Sequence, residues 1–478
     1  MMISGCKTCI QMRTLVFTLI CLINFCLGDF QDVKKPPHPH IIFVTLRDMG
    51  WDDVSFHGNP EIPTPNIDRI ANHGVILQQY YTTPYCEDSV TAFKTGKLPI
   101  HYRRPKTAEE YNSRSQPYDL WNYLDIQSYV IREIGNIDCE DTNVPFYPWE
   151  VIQKAEDVLK QHDQIYPLYL QVNFPQLHAD YPEQVPEEYR DRAKNIPFEA
   201  RKIYAGMIMQ LDRAVGHLIR ILYDTGILHN AILFFTTITG GTKGNNFYTW
   251  PSTYPFRGSN GTVWEGGTRA IGFVYSNRIQ RRGRVSYGLM HITDWLPTIF
   301  RLAGGNPEHV VETDGMDIWD SINSDDYSPR MEILYGIYGN ISAVRVGDFK
   351  LIQGESYVPF SQRPMAKGEM KNLVRPYTIW DSELECANYP DAIGCWPDIA
   401  PCLFNVRFDP CENNNVAYFM PQTVEALAYS LKKYQDGDIY RSRRDVSEQL
   451  EVDSEKYREI LKRLRRSAEE LNVKDIRK

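Results

Sequence analysis

Three short apolar runs constrain this 478-residue chain most: HIIFVTL (40–46), PLYLQVNF (167–174) and AILFFTTI (231–238). Each is rich in β-branched and aromatic residues, and each is apolar on both alternations. They therefore read as strands buried on both faces rather than as half-exposed hairpin strands. Helical patterns separate them. TPNIDRIANHG (64–74) has a capping Thr or Asn, apolar residues at Ile67, Ile70 and Ala71, and a closing glycine. Residues 149–160 are amphipathic, and residues 200–225 carry Ile203, Met207, Leu211, Val215, Leu218 and Leu222 at spacings of three and four. VILQQYY (75–81) reads as one further strand, and residues 121–131 as a helix end running into a strand. Buried strands alternating with helices imply an α/β fold, a mostly parallel central sheet covered by helices on both faces.

From about Tyr335 the texture changes. YGNISAVRVGDFKLIQG reads as short strands joined at Gly347-Asp348, a hairpin signal, so a smaller antiparallel sheet is expected there. Residues 424–434 and 454–471 read as helices, the latter with an apolar stripe from Tyr457 to Leu471. The expected organisation is a signal peptide over 1–28, an α/β domain over 37–330, a smaller sheet domain over 331–440 and a helical extension over 441–478.

The signal peptide rests on Lys7 and Arg13 preceding the apolar run TLVFTLICLINFCLG (14–28), which is too short for a comfortable transmembrane span. Removing it takes Cys6, Cys9, Cys21 and Cys26, and leaves Cys86, Cys139, Cys386, Cys395, Cys402 and Cys411. An even set in a secretory chain suggests disulfides. Short spacing favours Cys386 with Cys395 and Cys402 with Cys411, with Cys86 and Cys139 as a possible third pair. Sequons at Asn260 and Asn340 fit the same route, to the extracellular space or the lysosome. A net charge of −9 argues against nucleic acid as the main partner. Two local basic clusters stand out, RIQRRGR (278–284) and RSRR (441–444), each read as a solvated loop or a contact for an anionic polymer.

HIIFVTLRDMGWDDVSFHG followed by EIPTPNIDRIANHGV resembles the start of a sulfatase of the arylsulfatase B type. The resemblance continues through CEDSVTAFKTGKLPIH, HADYPEQVPEEY, YAGMIMQLDRAVG, YPFRGSNGTVWEGGTRA, HITDWLPTIFRLAGG, DGMDIWDSI and PCLFNVRFDPCENNNVA, covering the chain to about residue 440. It implies an alkaline-phosphatase-like α/β fold with a smaller C-terminal sheet. It also implies sulfate-ester hydrolysis by a cysteine oxidised to formylglycine, with calcium polarising the sulfate and with lysines and histidines stabilising charge and protonating the leaving group.

Set against that pattern, the chemistry is depleted. The modification signal resembles Cys-x-Pro-Ser-Arg, but here reads Cys86-Glu87-Asp88-Ser89-Val90. The Pro and Arg are what the modifying enzyme reads, and two acids beside a sulfur disfavour the thiolate. The Asp-Asp pair that ligates calcium becomes Arg47-Asp48, and the later Asp-Asn pair becomes Ile238-Thr239. Asp48 is thus a vestigial ligand and no bound cation is expected; calcium would be the cofactor were the site active. The Gly-Lys-Trp-His segment falls on Arg132-Glu133-Ile134-Gly135, and the lysine after Arg-Gly falls on Asn260, where a glycan would sit over the old pocket mouth. His178 keeps its place without its partners. Turns, caps and packing motifs, by contrast, persist. The expectation is a secreted glycoprotein that has lost catalysis and binds sulfated glycans or another secreted protein. The alternative is a sulfatase acting on glycosaminoglycan or aryl sulfates through an atypical site.

Overall fold

The computed structural model describes residues 38–436, apart from 103–118, 138, 140–145, 175–176, 178–184, 242–250, 311, 356–381, 388 and 390–392. The signal-peptide segment, His178, the 441–444 cluster and the helix expected over 454–471 lie outside the described residues.

In chain order the elements begin with β1 (His40–Leu46), α1 (Pro65–His73), β2 (Val75–Leu77), β3 (Tyr80–Tyr81), α2 (Cys86–Thr95), α3 (Leu120–Ile126), β4 (Val130–Ile134), α4 (Pro148–Gln161) and β5 (Leu168–Asn173). They continue with α5 (Glu187–Arg192), α6 (Glu199–Asp224), β6 (Ala231–Thr237), α7 (Glu265–Thr268), β7 (Gly272–Tyr275), β8 (Arg284–Ser286) and β9 (Met290–His291). Then follow α8 (Trp295–Leu302), α9 (Trp319–Ser324), β10 (Glu332–Tyr338), β11 (Ile341–Val346), β12 (Phe349–Gln353), β13 (Cys402–Asn405) and α10 (Pro421–Asp436).

Seven strands form the central sheet in the order β4-β5-β1-β6-β7-β2-β8, in which β7 runs against its neighbours and the other pairings are parallel. Because successive side chains alternate in direction, β1 feeds two cores. Ile42, Val44 and Leu46 share one apolar cluster with residues of α1, α4 and α6. Ile41 and Phe43 share the other with Phe93 of α2, Leu124 of α3 and Trp295 of α8. This double coverage is why the central runs read as continuously apolar.

VILQQYY, expected as one strand, is divided. Val75–Leu77 pairs with β7 and β8, while Tyr80–Tyr81 leaves the sheet and pairs with β9. Gln78 and Gln79 make the step. Gln78 is fully buried with its N–H on the Ser286 carbonyl, and the Gln79 carbonyl accepts from Met290.

The second sheet, β10-β11-β12-β13, is antiparallel and is also covered on both faces. Leu334, Val344, Leu351 and Leu403 pack with Leu427 and Leu431 of α10. The opposite face, with Tyr335, Ala343, Ile352 and Phe404, meets Tyr81 and Trp264. Within that contact Lys350, fully buried, lies 3.0 Å from Glu265 and 2.8 Å from Glu412. Against its burial, Glu265 is held down to about 2 by Lys350, Arg269 and Arg345, while burial pushes Glu412 up to about 7.

The disulfides near the C-terminus differ from the short-spacing expectation. Cys395 joins Cys402 and Cys386 joins Cys411. A tight turn in which Ile399 and Ala400 donate to the Trp396 carbonyl folds Cys395 back beside Cys402 at the start of β13. Cys411, beyond β13, is then left to Cys386, so the second bridge encloses the first.

Candidate functional site

Parallel pairing of β1 with β6 sets Leu46 opposite Thr237, so Arg47-Asp48 and Ile238-Thr239 leave the sheet side by side. Carboxyl ends of parallel strands are where open α/β sheets place ligands. Asp48 adopts a left-handed backbone (φ 57°), which a short polar residue tolerates. Its N–H lies 3.4 Å from the Thr239 hydroxyl, and its carbonyl accepts from the Tyr204 hydroxyl at 3.0 Å. The Asn260 amide nitrogen stands 3.4 Å from Asp48 Oδ1. Arg47 and Asp48 are both buried, and Thr239 is fully so.

Neighbouring carboxylates are committed elsewhere. Asp53 accepts from Gly50 N–H (2.8 Å), the Tyr204 hydroxyl (2.9 Å) and Arg201 Nη1 (2.6 Å). Asp52 accepts from the Ser252 hydroxyl, and Glu61 pairs with Arg201 at 3.3 Å. Calcium takes six to eight oxygen ligands. Here the carboxylate at the vestigial place faces an amide N–H donor, and Arg47 brings a positive charge beside it. Among the described residues no group of three or more His, Cys, Asp or Glu side chains could hold a metal ion. The donor set does not fit the family's cation.

The position that the resemblance assigns to formylglycine is half of a disulfide. Cys86 opens α2 and its sulfur is bonded to Cys139, with Cα atoms 5.9 Å apart and a sequence separation of 53. Ser89 is fully buried and turned inward: its hydroxyl accepts from Thr83 N–H at 3.1 Å and lies 2.7 Å from the Thr83 hydroxyl, tying the helix start to its lead-in. Val90, standing where the family's arginine would be, is buried in the apolar cluster that includes Phe93 and Leu124. Asp88, in place of the proline, accepts from the Tyr338 hydroxyl of β10 at 3.0 Å, and the Tyr338 ring meets Tyr85 edge-on at 4.8 Å.

Where the resemblance places the family's Lys and His, this chain has Glu133 on β4 and Gly135 just beyond it, with Arg132 one residue before. The Arg132 guanidinium bonds the neighbouring Ile131 carbonyl at the surface. Glu133 joins a chain of polar groups that the residue pattern does not announce. Tyr169 donates to Gln171, Gln171 donates to Asn173, and Asn173 donates to Glu133, each at 2.9 Å, while Thr45 donates to Asn173 Oδ1. Its only sequence signal is a Gln and an Asn two apart at the end of an apolar strand. Its buried members, Tyr169, Gln171 and Asn173, are thereby hydrogen-bonded, as buried polar groups must be, and the chain ends on the exposed Glu133. The structure thus brings Asp48, Thr239 and Asn260 together, and it converts Cys86 into half of a cystine. The two sequons fare differently: Asn260 is half-buried with its amide directed at Asp48, whereas Asn340 is exposed in the turn between β10 and β11.

The model of the Sulfatase family matches residues 39–119 and 110–305. Mouse arylsulfatase J is 29% identical over 83% of this chain and 75% of its own length. Rat N-acetylgalactosamine-6-sulfatase is 23% identical over 73% of this chain and 76% of its own length. Among solved structures, Ps i-CgsB in complex with k-i-k-neocarrahexaose superposes with a TM-score of 0.63 at 17% identity, covering 86% of this chain and 98% of that one. No described helix is long and apolar enough to cross a membrane.

Proposed function

The chain belongs to the sulfatase family, whose reaction is hydrolysis of sulfuric esters, and we propose that it is a member that has given up that reaction and serves as a secreted, glycosylated protein binding sulfated glycans. One observation carries the loss of catalysis: Cys86, the residue that would be oxidised to formylglycine, has its sulfur bonded to Cys139. A cysteine held as cystine does not present the hydrated aldehyde that attacks sulfate. The replaced calcium ligands point the same way, and the reading includes no bound calcium. The glycan half draws on the relative named for N-acetylgalactosamine-6-sulfate and on the neighbour holding a neocarrahexaose.

The test is the mass of the Cys86 peptide with and without reduction, together with turnover of 4-nitrophenyl sulfate in added calcium. The expected result is a Cys86–Cys139 cross-linked peptide that two thiols replace on reduction, and no turnover. An aldehyde at Cys86 with calcium-dependent release of nitrophenol would overturn the reading and restore an active sulfatase.

A further inference from the structure

The old site lies at the carboxyl ends of the parallel strands, whereas RIQRRGR (278–284) precedes β8, a strand parallel to β2 at the edge of the sheet. The loop therefore sits at the opposite, amino-terminal end of the sheet. Its backbone is fixed between two elements. Gly283 N–H donates to the Gly74 carbonyl behind α1 at 2.6 Å, and Arg281 N–H donates to the Asn323 carbonyl of α9 at 3.0 Å. Gln280 N–H adds a bond to the Asn323 side chain at 3.1 Å. Arg284 anchors the far side by donating to the Ser321 and Ile322 carbonyls at 2.8 and 2.9 Å.

Two of the loop's four arginines are held in place without being neutralised. Arg278 donates to the Asn230 side-chain oxygen and Arg282 to that of Asn277, each at 2.6 Å. Both acceptors are neutral amides, which orient a guanidinium and leave its charge intact. The ion pairs of the loop end on Asp325, shared between Arg281 (3.1 Å) and Arg284 (2.8 Å). Arg278, Arg281 and Arg282 are exposed, in a chain whose net charge is −9. Two residues beyond Asp325, Tyr327 is completely exposed, and Tyr287 at the end of β8 is 52% exposed. Ser328 donates to the Leu289 carbonyl at 2.6 Å, which holds the Tyr327 turn against the Tyr287 segment.

Resting on the reading of the chain as a glycan binder, we propose that Arg278, Arg281, Arg282 and Arg284, with Tyr287 and Tyr327 beside them, form the surface that takes a sulfated polysaccharide chain. Guanidinium forks match two oxygens of a sulfate ester as they match those of carboxylate or phosphate. Exposed tyrosine rings offer flat apolar faces to the C–H faces of sugar rings while their hydroxyls stay wet. Arginines fixed in advance lose less freedom when the ligand binds. A positive patch on an otherwise acidic molecule directs a polyanion to that one place. The arginines thus grip the glycan at the amino-terminal end of the edge strand β8, with the tyrosines along that edge, and the old pocket need not open for it.

The test is retention of the full chain on immobilised chondroitin sulfate at increasing salt. The compared variants are Arg278→Ser/Arg281→Ser/Arg282→Ser and, at matched charge, Arg441→Ser/Arg443→Ser/Arg444→Ser. The loop variant is expected to bind roughly tenfold or more weakly, with a shallower dependence on salt, while the matched variant binds as wild type. Arg282→Glu alone, at an exposed position, is expected to weaken binding in the same direction and guards against misfolding of the triple variant. Tyr327→Ala is expected to weaken binding to chondroitin sulfate but not to inorganic polyphosphate. Wild-type protein that no sulfated glycan retains would overturn the reading of the chain as a glycan binder. Wild-type retention unchanged in both loop variants would leave that reading standing and overturn this surface. Equal Tyr327→Ala effects on polyphosphate and chondroitin sulfate would overturn the glycan as the ligand class.

Discussion

Replacing Cys139 by Ser opens the Cys86–Cys139 bond without disturbing the other two bridges, which reduction would not spare. The bond closes a loop of 53 residues. Loop-closure entropy grows with the logarithm of loop length, and a loop of that size restricts the unfolded chain by about 4 kcal/mol at 25 °C. Against the 5–15 kcal/mol by which domains are usually stable, that is a large share. The contribution from lost packing is small, because both cysteines are only partly buried at the edge of the apolar cluster of α2 and α3. The measurement is equilibrium guanidinium unfolding followed by tryptophan fluorescence on wild type, Cys86→Ser, Cys139→Ser and the double variant. Each single variant is expected to lose most of the about 4 kcal/mol, and the double variant no more than either, since one bond is removed in all three. Loss of less than about 0.5 kcal/mol in the single variants, the range of a bland surface change, would refute the reasoning. So would additive losses, which would show two cysteines contributing separately.

Other consequences follow from the same structure. Val90→Arg, which restores the family's residue, is expected to cost about 3 kcal/mol or more in denaturant midpoint analysis, because a guanidinium would enter an apolar cluster without partners; it should restore no sulfatase turnover. Lys350→Met leaves Glu265 and Glu412 facing each other in a fully buried place, with an expected loss of about 3–5 kcal/mol, and Glu412→Gln in the same chain should recover part of it. Burial pushes Asp68 up to about 7 and Asp212 up to about 6, well above their values in an unfolded chain. Between about pH 4 and pH 7 the folded protein keeps protons that the unfolded chain has released, so these groups make stability fall as pH rises, by up to about 1.4 kcal/mol per pH unit for each proton. Asp68→Asn should flatten that fall in thermal scans taken from pH 5 to pH 8, and an unchanged slope would sink the assignment.

How much was legible depends on whether a position answers to local pattern or to its partner. β1, β5 and β6 were readable because burial on both faces leaves mostly apolar runs on both alternations. The stripe of α6 was readable because its buried face repeats at helical spacing. The division of VILQQYY was not, since an apolar run does not record which strand each half will pair with. Nor was the fate of Lys350: a lone lysine in FKLIQ gives no sign of a buried partner, yet it meets Glu265, supplied from 85 residues away. The nested bridges hid for a similar reason, because spacing along the chain is blind to a turn that folds Cys395 back upon Cys402. The candidate site was legible only through family motifs, and what replaced them was visible only in space.

The replacements at the old site share a direction that loss alone does not explain. A nucleophile position left idle could carry any small residue, yet Cys86 is bonded to Cys139. An arginine that once faced an anion could be exchanged for any polar side chain, yet Val90 fills the core beneath α2. The proline position became Asp88, which reaches Tyr338 of the second sheet, and the lysine position became Asn260, whose amide turns to Asp48. Each substituted group therefore makes a contact inside the protein. Active sites carry strain and unpaired charge that cost stability, and enzymes keep them for turnover. On the proposed reading, in which turnover has been given up, the same positions are free to stabilise the fold, and a cross-link at Cys86 is a strong contribution of that kind.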